Sequence, residues 1–161
     1  MSDIFFKTPE NVFSYRVGGI LIHNGKILLQ KLIGEEGYAI PGGHVSFGET
    51  GEAALIREFQ EELLAEIRVE RPVFLGEVFI PWDHRPCHQL CLYYLVTLKE
   101  PVQIATEGEI KVEDKLDGKS YRLVFRWTPL EELDSVTVYP TSIQPLLSNP
   151  PDGITHFIYR E

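Results

Sequence analysis

GHVSFGETGEAALIREFQEELLA, Gly43 to Ala65, is the stretch on which the reading of this chain turns. It places six glutamates between Glu49 and Glu66 and sets a single base, Arg57, among them. A solvated helix usually alternates charge signs along its face for weak pairwise stabilisation, and this one does not. At roughly 3.6 residues per turn, Thr50 stands as N-cap and Glu52 at the positive end of the helix dipole. Leu55, Ile56, Phe59 and Leu63 form the arc expected to be buried. Glu58, Glu61 and Glu62 share a second arc beside it, at the rim of the core and facing a cleft. Three like charges held there repel one another, and a divalent cation would reverse the sign of that energy. The candidate ligands are all oxygen, which favours Mg²⁺ or Mn²⁺. Arg57 and Glu61 are an (i, i+4) pair, so Arg57 is expected to hold the cluster in shape. The competing reading of the same spacing is an acidic surface helix with no site.

These residues resemble the Nudix box. Its pattern is Gly, five residues, Glu, seven residues, then Arg-Glu-aliphatic-x-Glu-Glu-x-Gly-aliphatic. Gly43, Glu49, Arg57, Glu58, Glu61 and Glu62 match at the required spacing, and Phe59 and Ala65 fit the aliphatic positions loosely. Leu64 departs from the glycine that ends the helix in the family, which bears on the helix exit and on no ligand position. The resemblance implies an α/β/α sandwich with a mixed central sheet and Mg²⁺-dependent hydrolysis of a diphosphate linked to another group, most often a nucleoside diphosphate derivative. It implies metal ligation by Glu58, Glu61, Glu62 and the Gly43 carbonyl, with Glu49 and Arg57 supporting them. Basic residues on family strands often touch substrate phosphates, which points to Arg16, Lys31 and His44. A catalytic base often comes from a separate loop, and Glu107, Glu109, Glu113 and Asp114 all qualify. A Nudix-fold binding module without catalysis and an isopentenyl-diphosphate-isomerase-like enzyme are the alternatives. Pro81 lies near where ADP-ribose hydrolases of the family carry a proline.

The rest of the chain is consistent with such an enzyme. Its 161 residues are the size of one domain, and 43% hydrophobic with 11% aromatic content is globular rather than disordered. The apolar runs fall short of a membrane span. Two cysteines without a secretory signal pattern suggest a cytoplasmic protein. A net charge of −9 argues against non-specific binding to nucleic acid or membranes and implies bound cations in a phosphate-binding protein. The partner expected is a phosphorylated small molecule, with a homodimer also open.

Strands are expected at 14–22 and 26–31 around the Asn24-Gly25 turn, then at 38–40, 67–69, 73–80, 89–98, 121–127 and 154–159. The 89–98 strand reads as central. Residues 81–86 read as a loop. The polar 99–119 segment is a long loop or a hairpin with its tip at Asp117-Gly118. Short helices are expected at 128–133, capped by Thr128, and at 141–147. His84, Cys87, His88 and Cys91 look like a zinc set. Cys87 and Cys91 in an extended strand would lie ~13 Å apart, too far to share one ion or a disulfide.

Overall fold

The structure, a computed structural model, describes residues 2–100, 104–105, 108–116 and 118–161. In chain order its strands are β1 (Phe5–Lys7), β2 (Val12–His23), β3 (Lys26–Leu32), β4 (Tyr38–Ala39) and β5 (Gly42–His44). The helix α1 (Gly51–Leu63) follows, then β6 (Ile67–Trp82), β7 (Arg85–Leu98), β8 (Glu109–Leu116), β9 (Lys119–Pro129), β10 (Val138–Tyr139) and β11 (Thr155–Arg160). The sheet is mixed. β2 and β7, β4 and β10, and β6 and β11 run parallel, and the remaining pairs are antiparallel. β7 sits between β2 and β6, the central place expected of it. Among the described residues no helix is long and apolar enough to cross a membrane.

Both faces of the sheet are covered, and the period-2 alternation of its strands feeds two cores. On β3, Leu28 points to the α1 side while Ile27 and Leu29 point away. Leu55, Phe59 and Leu63 of α1 pack on Val17, Leu21, Leu28, Phe125 and Trp127. Full burial of such a side chain is worth about 1.5–3 kcal/mol, which fixes the helix on the sheet. The opposite core collects Ile20, Phe74 and Tyr93 under Leu133, Ile143 and Leu147. That second layer is thinner than expected. Residues Leu130–Ser135 and Gln144–Leu146 are short 3-10 helices rather than α-helices.

Other local expectations are corrected as well. Thr128 caps nothing: it pairs with Ile27 as part of β9, and Pro129 takes the cap position without a side-chain bond. The segments 67–69 and 73–80 are one strand, β6, bent by irregularities between Val69 and Arg71 and between Pro72 and Phe74. The 81–86 loop is a tight hairpin whose turn residues Asp83 and His84 both take positive φ, 48° and 63°. Asn24-Gly25 does the same work between β2 and β3 with φ of 51° and 75°, and there the sequence announces it. Ile56 is exposed, and Ala54 takes its place in the buried arc. The 99–119 segment contains a hairpin strand, β8, paired with β9 from Glu109↔Arg126 to Leu116↔Lys119. Its tip residue Asp117 lies outside the described residues, and Gly118 has φ of 75°.

The feature that makes a site is a split in the sheet. β2 and β3 pair only at Ile22↔Ile27 and His23↔Lys26. Beyond that point β2 turns to β5, while β3 pairs with β4 at Gln30↔Ala39 and with β9 along its other edge. The chain crosses the gap at Pro41, whose carbonyl accepts from the Gly19 N–H at 2.7 Å. A Cβ at Gly42 would run into the Val17 carbonyl, so glycine is required for that approach.

Candidate active site

The split opens into a cavity of about 570 Å³. Its walls bring together Arg16, Lys31, Gly43, His44, Arg57, Glu58, Glu61 and Glu62. Every position named from the sequence as a metal or substrate contact therefore lines one space. Glu49 lies behind it, as a support for Arg57.

α1 begins where the sequence places it. Thr50 is extended, and its hydroxyl accepts from the Ala53 N–H at 3.1 Å. The helix ends on Leu64 in the left-handed conformation, with φ of 53° and ψ of 32°. The N–H groups of Leu64 and Ala65 cap the carbonyls of Gln60 and Phe59. The backbone thus keeps the turn that glycine makes easily, and a leucine adopts it.

Arg57 organises the acidic residues more widely than its helical spacing to Glu61 implies. Its guanidinium donates to both Glu49 carboxylate oxygens, at 2.6 and 3.2 Å, to Glu58 at 2.8 Å and to Glu61 at 3.3 Å. It also donates to the His44 carbonyl at 3.1 Å, tying α1 to β5. The hydrogen bond from Arg57, with a further one from the Ser46 N–H, holds the Glu49 carboxyl below its usual range. Glu58 stands so close to Gly43 that a Cβ there would land on its carboxylate.

The three clustered glutamates are not equivalent. The Glu61 side chain is 58% exposed, against 12% for Glu58. Burial pushes the Glu58 carboxyl up to about 7, with Arg57 pulling the other way. Burial, then the charges of Glu58 and Asp114, push Glu62 up to about 9. Asp114 comes from β8, and of the acidic candidates in the 99–119 segment that the structure describes it is the one that reaches this cluster. It shares the α1-facing side of its strand with Ile110 and Val112, both packed on that core. Glu109 and Glu113 are exposed, Glu113 beside Arg122, and Glu107 lies outside the described residues.

The donor set fits a hard cation: carboxylates and a backbone carbonyl, crowded and partly desolvated. Among the described residues no three acidic, histidine or cysteine side chains form a ready-made cage. Arg57 occupies one oxygen each of Glu58 and Glu61.

The basic residues divide. Arg16 lines the cavity and lowers the cost of charge on Glu62. The Lys31 ammonium sits 5.0 Å from the centre of the Tyr38 ring. His44 carries no charge to offer a phosphate. Burial, then Arg16, press its pKa down to about 3, and its Nε2 is 2.9 Å from the Ser14 hydroxyl.

Sequence reasoning missed part of the lining. Tyr121, Tyr139 and Tyr159 come from three separate strands, and Trp82 from a fourth. Gln30 also lines the cavity, from within the apolar run KILLQK. A polar residue at a buried strand position was the available signal. Cys87 and Cys91 are buried and unpaired in β7, and burial pushes the Cys91 thiol up to about 11.

Comparison with known proteins agrees with this fold. A mutator MutT protein of Bacillus halodurans superposes with a TM-score of 0.60 at 16% identity, over 91% of this chain and 89% of that one. An ADP-ribose pyrophosphatase of Streptococcus suis gives 0.57 at 13% identity, over 90% and 98%. At such identities the likeness is one of fold. A curated relative, an RNA pyrophosphohydrolase of Acinetobacter baylyi, is 46% identical over 52 residues. The match takes in 32% of this chain and spans 31% of that relative's length. The NUDIX domain model matches residues 13–146, which include the whole helix, its glycine lead-in and the hairpin that carries Asp114. The chain belongs to the Nudix family.

Proposed function

We propose that this chain is a hydrolase that cleaves a phosphorus–oxygen bond within a diphosphate joined to another group, with Mg²⁺ or Mn²⁺ as cofactor. The observation that carries the reading is the pairing of Glu58 and Glu62, two carboxylates with raised pKa on the wall of a 570 Å³ cavity, in a chain of this family.

Glu58, Glu62 and the Gly43 carbonyl are the groups that would hold a cation, with Glu61 at the open side and Asp114 opposite. When bound, the ion supplies charge neutralisation at phosphate oxygens and a more acidic attacking water. Arg57 keeps Glu58 aimed by holding one of its oxygens, and Glu49 keeps Arg57 in place. Arg16 and Lys31 are positive groups available to the phosphates, and Lys115 of β8 lines the same cavity. Glu62 and Asp114 are not held by Arg57, so one of them accepts the proton of the attacking water. The tyrosines and Trp82 face the organic group.

The RNA pyrophosphohydrolase and the ADP-ribose pyrophosphatase among the similar proteins set the breadth of the test. Nucleotide sugars, ADP-ribose, dinucleoside polyphosphates, nucleoside triphosphates and 5′-triphosphorylated RNA are incubated with the protein and Mg²⁺, and phosphate products are measured. Turnover of one of these is expected, abolished by chelation without unfolding. Full turnover after exhaustive chelation would overturn the metal assignment. Tight binding without products would point to the non-catalytic module, and an allylic diphosphate product to the isomerase.

A further inference from the structure

We propose that Gln30 reads the organic group of the substrate, by accepting a hydrogen bond from a hydroxyl or N–H donor on it. This rests on the diphosphate reading of the cavity.

Gln30 is 7% exposed and lies in the interior of β3, with Ala39 opposite it on one edge and Phe125 on the other. Its side-chain oxygen Oε1 is buried without a hydrogen-bond partner. The neighbours on that face explain why. Leu28 and Leu32 lie two residues away along the strand, and directly paired residues share a face, so Ala39 and Phe125 are its cross-strand neighbours within the sheet. None of the four has a side-chain donor. A buried carbonyl oxygen left unpaired is costly, and few remain so in folded proteins. Gln30 differs from the other buried polar side chains of the region. Ser14 and His44 pair with each other, and Ser46 donates to Asp3. Thr128, the other such residue among those described, does not line the cavity.

The chemistry narrows what can meet this oxygen. A metal-bound diphosphate presents acceptors only, so it cannot satisfy a second acceptor. The partner must come from the group attached to the diphosphate. A ligand that fills the cavity without such a donor leaves Oε1 unpaired. Sites of this kind reject analogues strongly, because the protein's own polar group is left unpaired. Gln30 would therefore set which organic group is accepted, and Glu58 and Glu62 would set that a diphosphate is required.

The test compares wild type with Gln30→Met, which keeps the length and volume of the side chain and removes the acceptor. Gln30→Leu serves as a second variant. Calorimetric titrations in Mg²⁺ use non-hydrolysable probes: methylenebisphosphonate, which has no organic group, and the α,β-methylene analogues of ADP, GDP, CDP and UDP. The expected result has three parts. The best nucleotide analogue binds wild type more tightly than the bisphosphonate does. Both variants lose about tenfold in affinity for that analogue, the scale of one hydrogen bond to a buried group. Methylenebisphosphonate affinity stays within about twofold, and ligand-free melting is unchanged or raised, as expected when an orphan polar group is replaced by an apolar one. An equal loss on the bisphosphonate would place Gln30 at the phosphates and overturn the proposal. Unchanged affinity for every probe would show an idle carbonyl, and lower ligand-free melting of both variants a structural amide. If wild type binds the bisphosphonate and gains nothing from any nucleoside, the inference fails while the diphosphate reading stands. If wild type binds none of the probes, both fail.

Discussion

The two acidic walls of the cavity are built by different means. The α1 wall is local: Glu58, Glu61 and Glu62 sit on one helix, and Arg57 of the same helix ties Glu58 and Glu61 to Glu49. The β8–β9 wall is non-local. Asp114 arrives by way of strand register, β8 on β9 and β9 on β3, and no arginine contact holds it among the described hydrogen bonds and ion pairs. The first wall is a scaffolded array. The second is a single carboxylate closing on it, whose charge adds to burial and to Glu58 in raising the Glu62 pKa. The family motif therefore describes one half of the site, and the pairing of the sheet supplies the other.

The largest expected effect comes from breaking the local wall. Gly43→Ala puts a methyl group where the Glu58 carboxylate lies. Glu58 must move, and Arg57 with it. Misplacement of a catalytic group by about an ångström costs on the order of 100-fold in kcat/KM, measured on the substrate found by the screen. An alanine variant with wild-type kcat/KM would mean that Glu58 is not held where the chemistry needs it.

A smaller effect is expected from the non-local wall. Asp114→Asn keeps the shape of the strand and removes one negative charge from a group that touches the array without anchoring it. Metal affinity and kcat should each fall by about tenfold, the lower end of what loss of a group beside a metal ligand causes. A Mn²⁺ titration of turnover reads both. If neither changes, the hairpin is a cover and the comparison of walls collapses to one.

How much of this was legible in the sequence follows the same division. Thr50, Arg57 and the glutamates interact within a few residues, so helical spacing was enough to read them. Asp114 could be listed but not selected from among its acidic neighbours, because only the register Asp114↔Tyr121 and the β9–β3 pairing bring it to the helix. Gln30 was only half legible for a related reason: strand alternation marks it as buried, but not whether anything satisfies it. Thr128 misled because a Thr-Pro pair reads as a helix start, while cross-strand pairing with Ile27 won. Asp83-His84 lacks the glycine that announces a two-residue turn, yet the long β6–β7 ladder imposes one.

The smallest effect lies at the helix exit. Leu64 is 77% exposed and left-handed, so its side chain contributes little burial and its backbone carries strain. Leu64→Gly should stabilise the protein by about 1 kcal/mol in a denaturant melt and leave turnover nearly intact. Loss of kcat with the fold and metal affinity unchanged would assign this position a chemical role and move the boundary of the local wall.

The central claim is that the acidic array exists for a cation, and Glu62→Gln tests it most directly. A carboxyl whose folded pKa is raised from the usual 4.5 to about 9 binds more protons folded than unfolded. Its contribution is full below about pH 4.5 and lost as pH rises toward 9, so metal-free wild type is weakened at pH 8. Glutamine keeps the shape and removes that ionisation. The measurement is a denaturant melt of wild type and Glu62→Gln at pH 8, each in chelator and in saturating Mg²⁺. In chelator the variant should be at least as stable as wild type. On adding Mg²⁺ wild type should gain up to about 2.7 kcal/mol at a hundredfold excess over Kd, and the variant much less. A variant that is markedly less stable in chelator, yet gains as much from Mg²⁺ as wild type, would contradict the account.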